Sequence, residues 1–161
     1  MDDNARKFIV EKIDQKFLIQ NNSISFNLII DWIETAEDKE KKVVFKTFET
    51  GETQIFFVSK IITNGNRISD KKKISEDEYK NLLDTSILHL EKKRHEFNFI
   101  QNSISFSLKY DEFASEKIRI LEVDSENSEE RNLFNPNTFP YRLTDVTGDK
   151  SYEGFRIVKM L

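Results

Sequence analysis

A chain of 161 residues with no cysteine and a formal net charge of -4 is the size of one domain. It excludes disulfide frameworks and thiolate metal sites, and it carries no global bias toward nucleic acid or a membrane surface. Hydrophobic content is 37% and charged content 34%, yet 14 Phe supply large apolar side chains, a mixture that describes a folded protein with a well-solvated exterior.

The start, Met1-Asp2-Asp3-Asn4, is acidic and leads into no apolar core of signal-peptide length. Phe8-Ile9-Val10 is a short β-prone run. Residues 23–30 alternate polar and apolar and then turn fully apolar; the most apolar stretch, 26–33, is broken by Asn27 and Asp31 and falls far short of a membrane span. A cytoplasmic protein without a membrane partner is expected. Residues 35–42 are charged and read as a solvated helix or loop. Strands at 43–48 and 54–63 flank Glu49-Thr50-Gly51-Glu52, a hairpin signal, and Asn64-Gly65-Asn66 marks a second turn. The clearest helix follows: Ser75 and Glu78 form a capping box, and Tyr79, Leu82, Leu83, Ile87 and Leu90 recur at helical spacing. Strands resume at 96–99, 103–110 and 117–124, with a short helix at 128–134 before Asn135-Pro136. Residues 23–28, Ser-Ile-Ser-Phe-Asn-Leu, are echoed by 103–108, Ser-Ile-Ser-Phe-Ser-Leu, which fits either two similar β halves or the alternation of any half-buried strand. No segment has the composition of an interdomain linker, so residues 1–161 are expected to be a single domain.

Basic residues recur inside the apolar β-type segments: Lys46, Lys60, Lys92 and Arg94. Strand alternation sends Lys92 and Arg94 to one face. A concave sheet that gathers such cations holds a polyanion, whereas a flat one merely exposes them to water; the spacing alone leaves both readings open. Glu122 and Asp124 share a face with Ile118 and Ile120, and a carboxylate on an apolar face fits either a metal or phosphate-site role or a plain salt bridge. Lys71-Lys72-Lys73 reads as a solvated turn, and His89 and His95 as surface residues.

Other chemistries find no support. Four glycines build neither a phosphate-binding loop nor a dinucleotide fingerprint, and no nucleophile elbow or triad is evident. The Phe residues fall at strand or helix periodicity, as core does, rather than as a base-stacking platform, so nucleic acid is not an expected partner. An unrelated β barrel for an apolar ligand would need apolar interior positions where Lys60, Lys92 and Arg94 stand.

The ordered series Arg6-Lys7-Phe8, Lys46, Ser59-Lys60, Gly65-Asn66-Arg67, Lys92-Lys93-Arg94, Tyr110-Asp111-Glu112-Phe113, Glu122-Val123-Asp124 and Asp145-Val146-Thr147-Gly148-Asp149 resembles the CYTH, or triphosphate tunnel, superfamily over nearly the whole chain. The resemblance implies an α+β fold: an antiparallel β tunnel, a closed barrel-like sheet with flanking helices. It implies a triphosphate-bearing small molecule as ligand, held by Lys7, Lys46, Lys60, Arg67, Lys92 and Arg94, and Mg²⁺ or Mn²⁺ held by Asp3, Glu122 and Asp124. The implied activities are a divalent-metal-dependent phosphohydrolase, a catalytically silent phosphate-ligand sensor or binding module, and an adenylate cyclase-like nucleotidyl cyclase. Both signs of charge are needed for such chemistry, because cations match the phosphates and carboxylates hold the metal.

The carboxylate set departs from the family pattern. Ala5, Ser69 and Lys71 stand where the family places carboxylates, and Asp3 shortens another. At Lys71 attraction for a metal becomes repulsion, while an anion gains; a one-residue register slip would put Asp70 there instead. Anion binding is therefore the better-supported half of the expectation.

Overall fold

The computed structural model describes residues 5–125 and 127–161. Nine strands form one sheet: β1 (Arg6–Val10), β2 (Ile24–Thr35), β3 (Lys39–Phe48), β4 (Thr53–Thr63), β5 (Asn66–Lys73), β6 (Leu88–Gln101), β7 (Ile104–Phe113), β8 (Arg119–Val123) and β9 (Leu143–Asp145). Their order is β5-β4-β3-β2-β6-β7-β8-β1-β9, and every neighbouring pair is antiparallel. Two of the hairpins turn on two residues, Asn64-Gly65 and Asn102-Ser103, with all four φ values between +48° and +78°. That left-handed pair matches the strand twist, and Asn and Gly adopt it most readily.

Three short helices decorate the sheet: α1 (Gln15–Gln20), α2 (Glu76–Leu83) and α3 (Ser128–Leu133). The Ser75 hydroxyl caps α2 by accepting from the Glu78 amide at 3.1 Å, as the capping box predicts. The expected continuation through Ile87 and Leu90 does not occur. After Leu83 the chain turns at residues 84–87 and enters β6, where Leu90 faces inward beside Ile30 of β2. Residues at i and i+3 of a helix cannot be told from strand positions when the apolar run is this short, and sheet pairing over fourteen residues decides it. The solvated helix or loop expected at 35–42 is likewise corrected: from Lys39 onward it is strand, and Glu40 is buried.

The two faces of the sheet carry two cores. On the outer face Phe8, Val10, Phe97, Phe106, Leu108, Tyr110, Leu121 and Val123 pack under Leu18 of α1, Phe134 and Phe139. Each such side chain contributes roughly 1.5–3 kcal/mol by leaving water. His95, expected at the surface, is buried here: it hydrogen-bonds Ser25 Oγ and Glu112 Oε1 and stacks on Tyr110. On the inner face Phe26, Leu28, Ile30, Trp32, Leu90, Phe113 and Ile120 form a second apolar surface, reached by Ile157 from the C-terminal segment. The echoed strings thus do opposite things, because Phe26 and Leu28 face inward while Phe106 and Leu108 face outward. They are not matching halves.

Among the described residues the sheet is not closed by hydrogen bonds, which corrects the expectation of a closed barrel: β5 and β9 remain edges. The seam is spanned by chain rather than by strand pairing. Val146 N donates to Lys7 O, the residues beyond it turn through two 3-10 segments, Lys150–Tyr152 and Gly154–Met160, and Glu153 pairs with Arg67 of β5. No described helix is long and apolar enough to cross a membrane.

Candidate functional site

The inner face encloses a cavity of about 650 Å³, within the range of small-molecule sites. Antiparallel pairing lays its lining out in rows. One row runs Lys7, Glu122, Lys109, Glu96 across β1, β8, β7 and β6. The next sets Asp111 beside Arg94 and Phe26, and the one after sets Lys92, Leu28 and Lys46 in line. Further along, Trp32, Lys42, Val58 and Lys71 share a row on β2, β3, β4 and β5.

The charge on these rows is divided by wall. β3, β4 and β5 contribute Lys42, Lys46, Lys60, Arg67 and Lys71 to the lining and no acidic side chain. The opposite wall carries Lys7, Lys92, Arg94 and Lys109, balanced by Glu96, Asp111, Glu122 and Asp124. On that wall three of the four acids, Asp111, Glu122 and Asp124, are engaged by bases. Asp111 accepts from Lys92 Nζ at 2.8 Å and from Arg94 Nε and Nη2 at 2.7 and 2.8 Å. Glu122 lies 3.6 Å from Lys7 Nζ, and Asp124 lies 2.7 Å from Lys109 Nζ. One wall is near neutral; the other keeps an excess of positive charge even with Glu40 beside Lys42 and Glu153 paired to Arg67.

Titration follows this division. Burial favours the neutral acid at Asp111, but Arg94 and Lys92 outweigh it and hold the carboxyl well below the usual range. Burial likewise opposes charge at Glu122, yet Lys7 and Arg94 hold it down at about 2. Burial, followed by the charge of Lys60, pushes Lys42 down to about 7 despite Glu40 beside it. Lys46 and Lys71 are also lowered, by burial first; each then feels Arg94 and Lys109, and Glu96 works the other way.

Lys46 and Lys71 have no carboxylate ion pair among the described residues. Their ammonium groups rest on aromatic faces, Lys46 Nζ 3.9 Å from the Phe26 ring centre and 4.7 Å from that of Phe48, Lys71 Nζ 4.0 Å from that of Phe56.

All six expected phosphate-binding residues, Lys7, Lys46, Lys60, Arg67, Lys92 and Arg94, line the one cavity, as do Glu122 and Asp124. Asp3 lies outside the described residues. Ala5, Ser69 and Lys71 line it too, so the register that sets Lys71 inward and Asp70 outward is the one observed, and the solvated turn expected for Lys71 is instead part of β5. Sequence reasoning missed Lys42 and Lys109 as lining residues. Alternation held the signal for the first, since Lys42, Val44 and Lys46 share a strand face. It held the second as well, with Lys109 two residues before Asp111.

Among the described residues, no three His, Asp or Glu side chains gather as a metal-ligating group. Glu122 and Asp124, expected as ligands, are each engaged by a lysine. This donor set does not fit a divalent ion held by the protein alone.

The C-terminal segment completes the lining. Lys7 Nζ donates to Tyr152 O at 2.8 Å, Arg67 pairs with Glu153, and Ile157 packs on the apolar floor. Glu40 anchors the segment: its Oε2 accepts from Trp32 Nε1 at 3.0 Å and from the Phe155 amide at 3.2 Å.

A nine-stranded antiparallel sheet curved around a charged cavity defines a class of folds rather than a single protein, and comparison with solved structures places it. The inorganic triphosphatase NE1496 superposes with a TM-score of 0.65 at 18% identity over 96% of each chain, and a second structure, described as the hypothetical protein NE1496, with 0.65 at 17% over 97% of each. The chain shares the fold of these two structures over nearly its whole length, an antiparallel β tunnel with flanking helices. No protein-family model and no curated protein sequence matches it.

Proposed function

We propose that the tunnel binds a triphosphate-bearing small molecule, with the phosphate chain on the β3–β5 wall. The observation that carries this reading is the division of charge: five basic side chains line that wall against two acids that meet them, Glu40 beside Lys42 and Glu153 on Arg67, in a chain whose net charge is -4. Enclosed ammonium and guanidinium groups gain more from an anion than exposed ones, because little water competes for them. The fold shared with a protein named as an inorganic triphosphatase supports the same ligand class. The opposite wall serves as a rigid frame, three of its four carboxylates already paired with Lys92, Arg94, Lys7 and Lys109.

That engagement favours a binding module over an efficient hydrolase. Calorimetry with inorganic triphosphate, ATP and orthophosphate tests the binding reading, and a phosphate-release assay with Mg²⁺ and then Mn²⁺ tests hydrolysis. Triphosphate is expected to bind far more tightly than orthophosphate; equal weak binding of the two would defeat the proposal.

A further inference from the structure

We infer that this tunnel takes its triphosphate free of divalent metal, with the ammonium groups of Lys46 and Lys71 supplying the neutralisation that a metal ion would otherwise bring. The inference rests on the reading of the cavity as a triphosphate site and adds which form of the ligand enters it.

Recruiting a divalent cation takes carboxylate oxygens not already spent on ammonium or guanidinium groups. Both oxygens of Asp111 are spent on Lys92 and Arg94. Glu122, Asp124 and Glu153 are each paired with a base, and Glu96 faces a cluster in which Lys46, Lys71, Lys109 and Arg94 act on one another. A divalent ion entering with the phosphate chain would meet more positive charge than negative.

The converse holds for the bare anion. Lys46 is half-buried and Lys71 stands exposed on the edge strand, yet both ammonium groups reach the cavity over aromatic faces, and both are disfavoured there by desolvation and by like charge. A polyphosphate relieves both costs at once. Chelation by Mg²⁺ removes two negative charges from the ligand and holds water around the metal, so it weakens the contacts that Lys46 and Lys71 offer. Magnesium then acts as a competitor for the ligand rather than as a cofactor.

The test is calorimetric titration of the protein with inorganic triphosphate at fixed ionic strength, once in EDTA and once in excess Mg²⁺. Affinity is expected to be at least about tenfold higher in EDTA, as the lost charge on the ligand requires. Lys71→Glu, at an exposed position on an edge strand, is expected to lose that advantage and to bind better with Mg²⁺ than without. Equal or tighter binding by the unaltered protein in Mg²⁺ overturns the inference and leaves the triphosphate site standing. Absence of binding in both buffers, with the folded spectrum intact, overturns the triphosphate reading itself and this inference with it.

Discussion

Arg94 spends its guanidinium fork on Asp111, Nε to Oδ1 at 2.7 Å and Nη2 to Oδ2 at 2.8 Å, and Lys92 reaches the same Oδ2 at 2.8 Å. The carboxylate is 2% exposed. A buried charge held by two partners on the next strand is a structural element first, since removing it leaves both cations without an anion. Asp111→Asn is expected to cost about 3 kcal/mol of stability, the lower end for breaking a buried ion pair, read from the urea midpoint. A change under about 1 kcal/mol would mean that water already screens the triad. Replacing Lys92 and Arg94 together would strand Asp111 in the same way, so that double variant reports on folding as much as on ligand binding. The sign of the acid response follows. Folded pKa values of Asp111 and Glu122 lie below their ordinary ones, so their contribution is fully present above the ordinary carboxyl range and is lost as pH falls, for Glu122 toward about 2.

Lys46 has the opposite character. It has no carboxylate ion pair among the described residues, and burial lowers its pKa ahead of any neighbouring charge. Lys46→Met keeps the aliphatic volume against Phe26 and Phe48 and removes the charge. Thermal stability is expected to hold or rise, while triphosphate affinity falls by roughly tenfold or more, the scale of one lost hydrogen bond to a charged group. Thermal shift and calorimetry on the same sample read both. Loss of stability together with unchanged affinity would place the ligand elsewhere.

Much of this is legible in the sequence, because strand alternation is a local property. Lys92 and Arg94 had to share a face, and the ordered motifs set that face inside a tunnel, where both residues line the cavity. What the sequence hid was pairing across strands. Nothing local says that Lys92 and Arg94 meet Asp111, nineteen and seventeen positions later, or that Lys109 takes Asp124. Those contacts decide that one wall is neutral and the other positive. The fate of 84–90 was also a non-local matter, since Leu90 satisfies a helical pattern and an inward strand position equally well. Closure was hidden for the same reason: Arg67 and Glu153 are 86 positions apart, and their pairing carries the C-terminal segment across the seam.

The seam has one tight point. Gly154 sits at φ +52°, and a Cβ there would lie 2.7 Å from Glu40 Oε2, an oxygen already fixed by Trp32 and the Phe155 amide. Gly154→Ala therefore meets both a left-handed backbone and an anchored carboxylate. A loss of about 1–2 kcal/mol is expected, concentrated in the C-terminal segment. Hydrogen exchange is expected to quicken at residues 152–158 while the strands hold. Uniform protection across the chain would show that the segment does not depend on this contact.

The cavity is also expected to take up a proton with its ligand, through Lys42. Its ammonium lies 3.3 Å from Glu40 Oε1 and 5.6 Å from the Trp32 ring centre, is 13% exposed, and is pushed down to about 7 by burial and then by Lys60. The unfolded chain holds that proton up to the ordinary lysine value, so between about 7 and that value the unfolded state binds more protons. Stability of the empty protein therefore rises with pH across this window, and the Lys42 penalty is greatest below it. A bound polyanion reverses the cost by raising the Lys42 pKa, so binding at pH 8 draws a proton onto Nζ and weakens as pH climbs. Triphosphate has titrations of its own, so the quantity to compare is the difference between the unaltered protein and Lys42→Met. Calorimetry at pH 8 in two buffers of different ionisation enthalpy gives the protons exchanged by each. The unaltered protein is expected to take up most of one proton more than Lys42→Met. Identical proton counts would show that Lys42 keeps its charge state when the ligand enters and that the phosphate chain does not reach the Glu40 end of the wall.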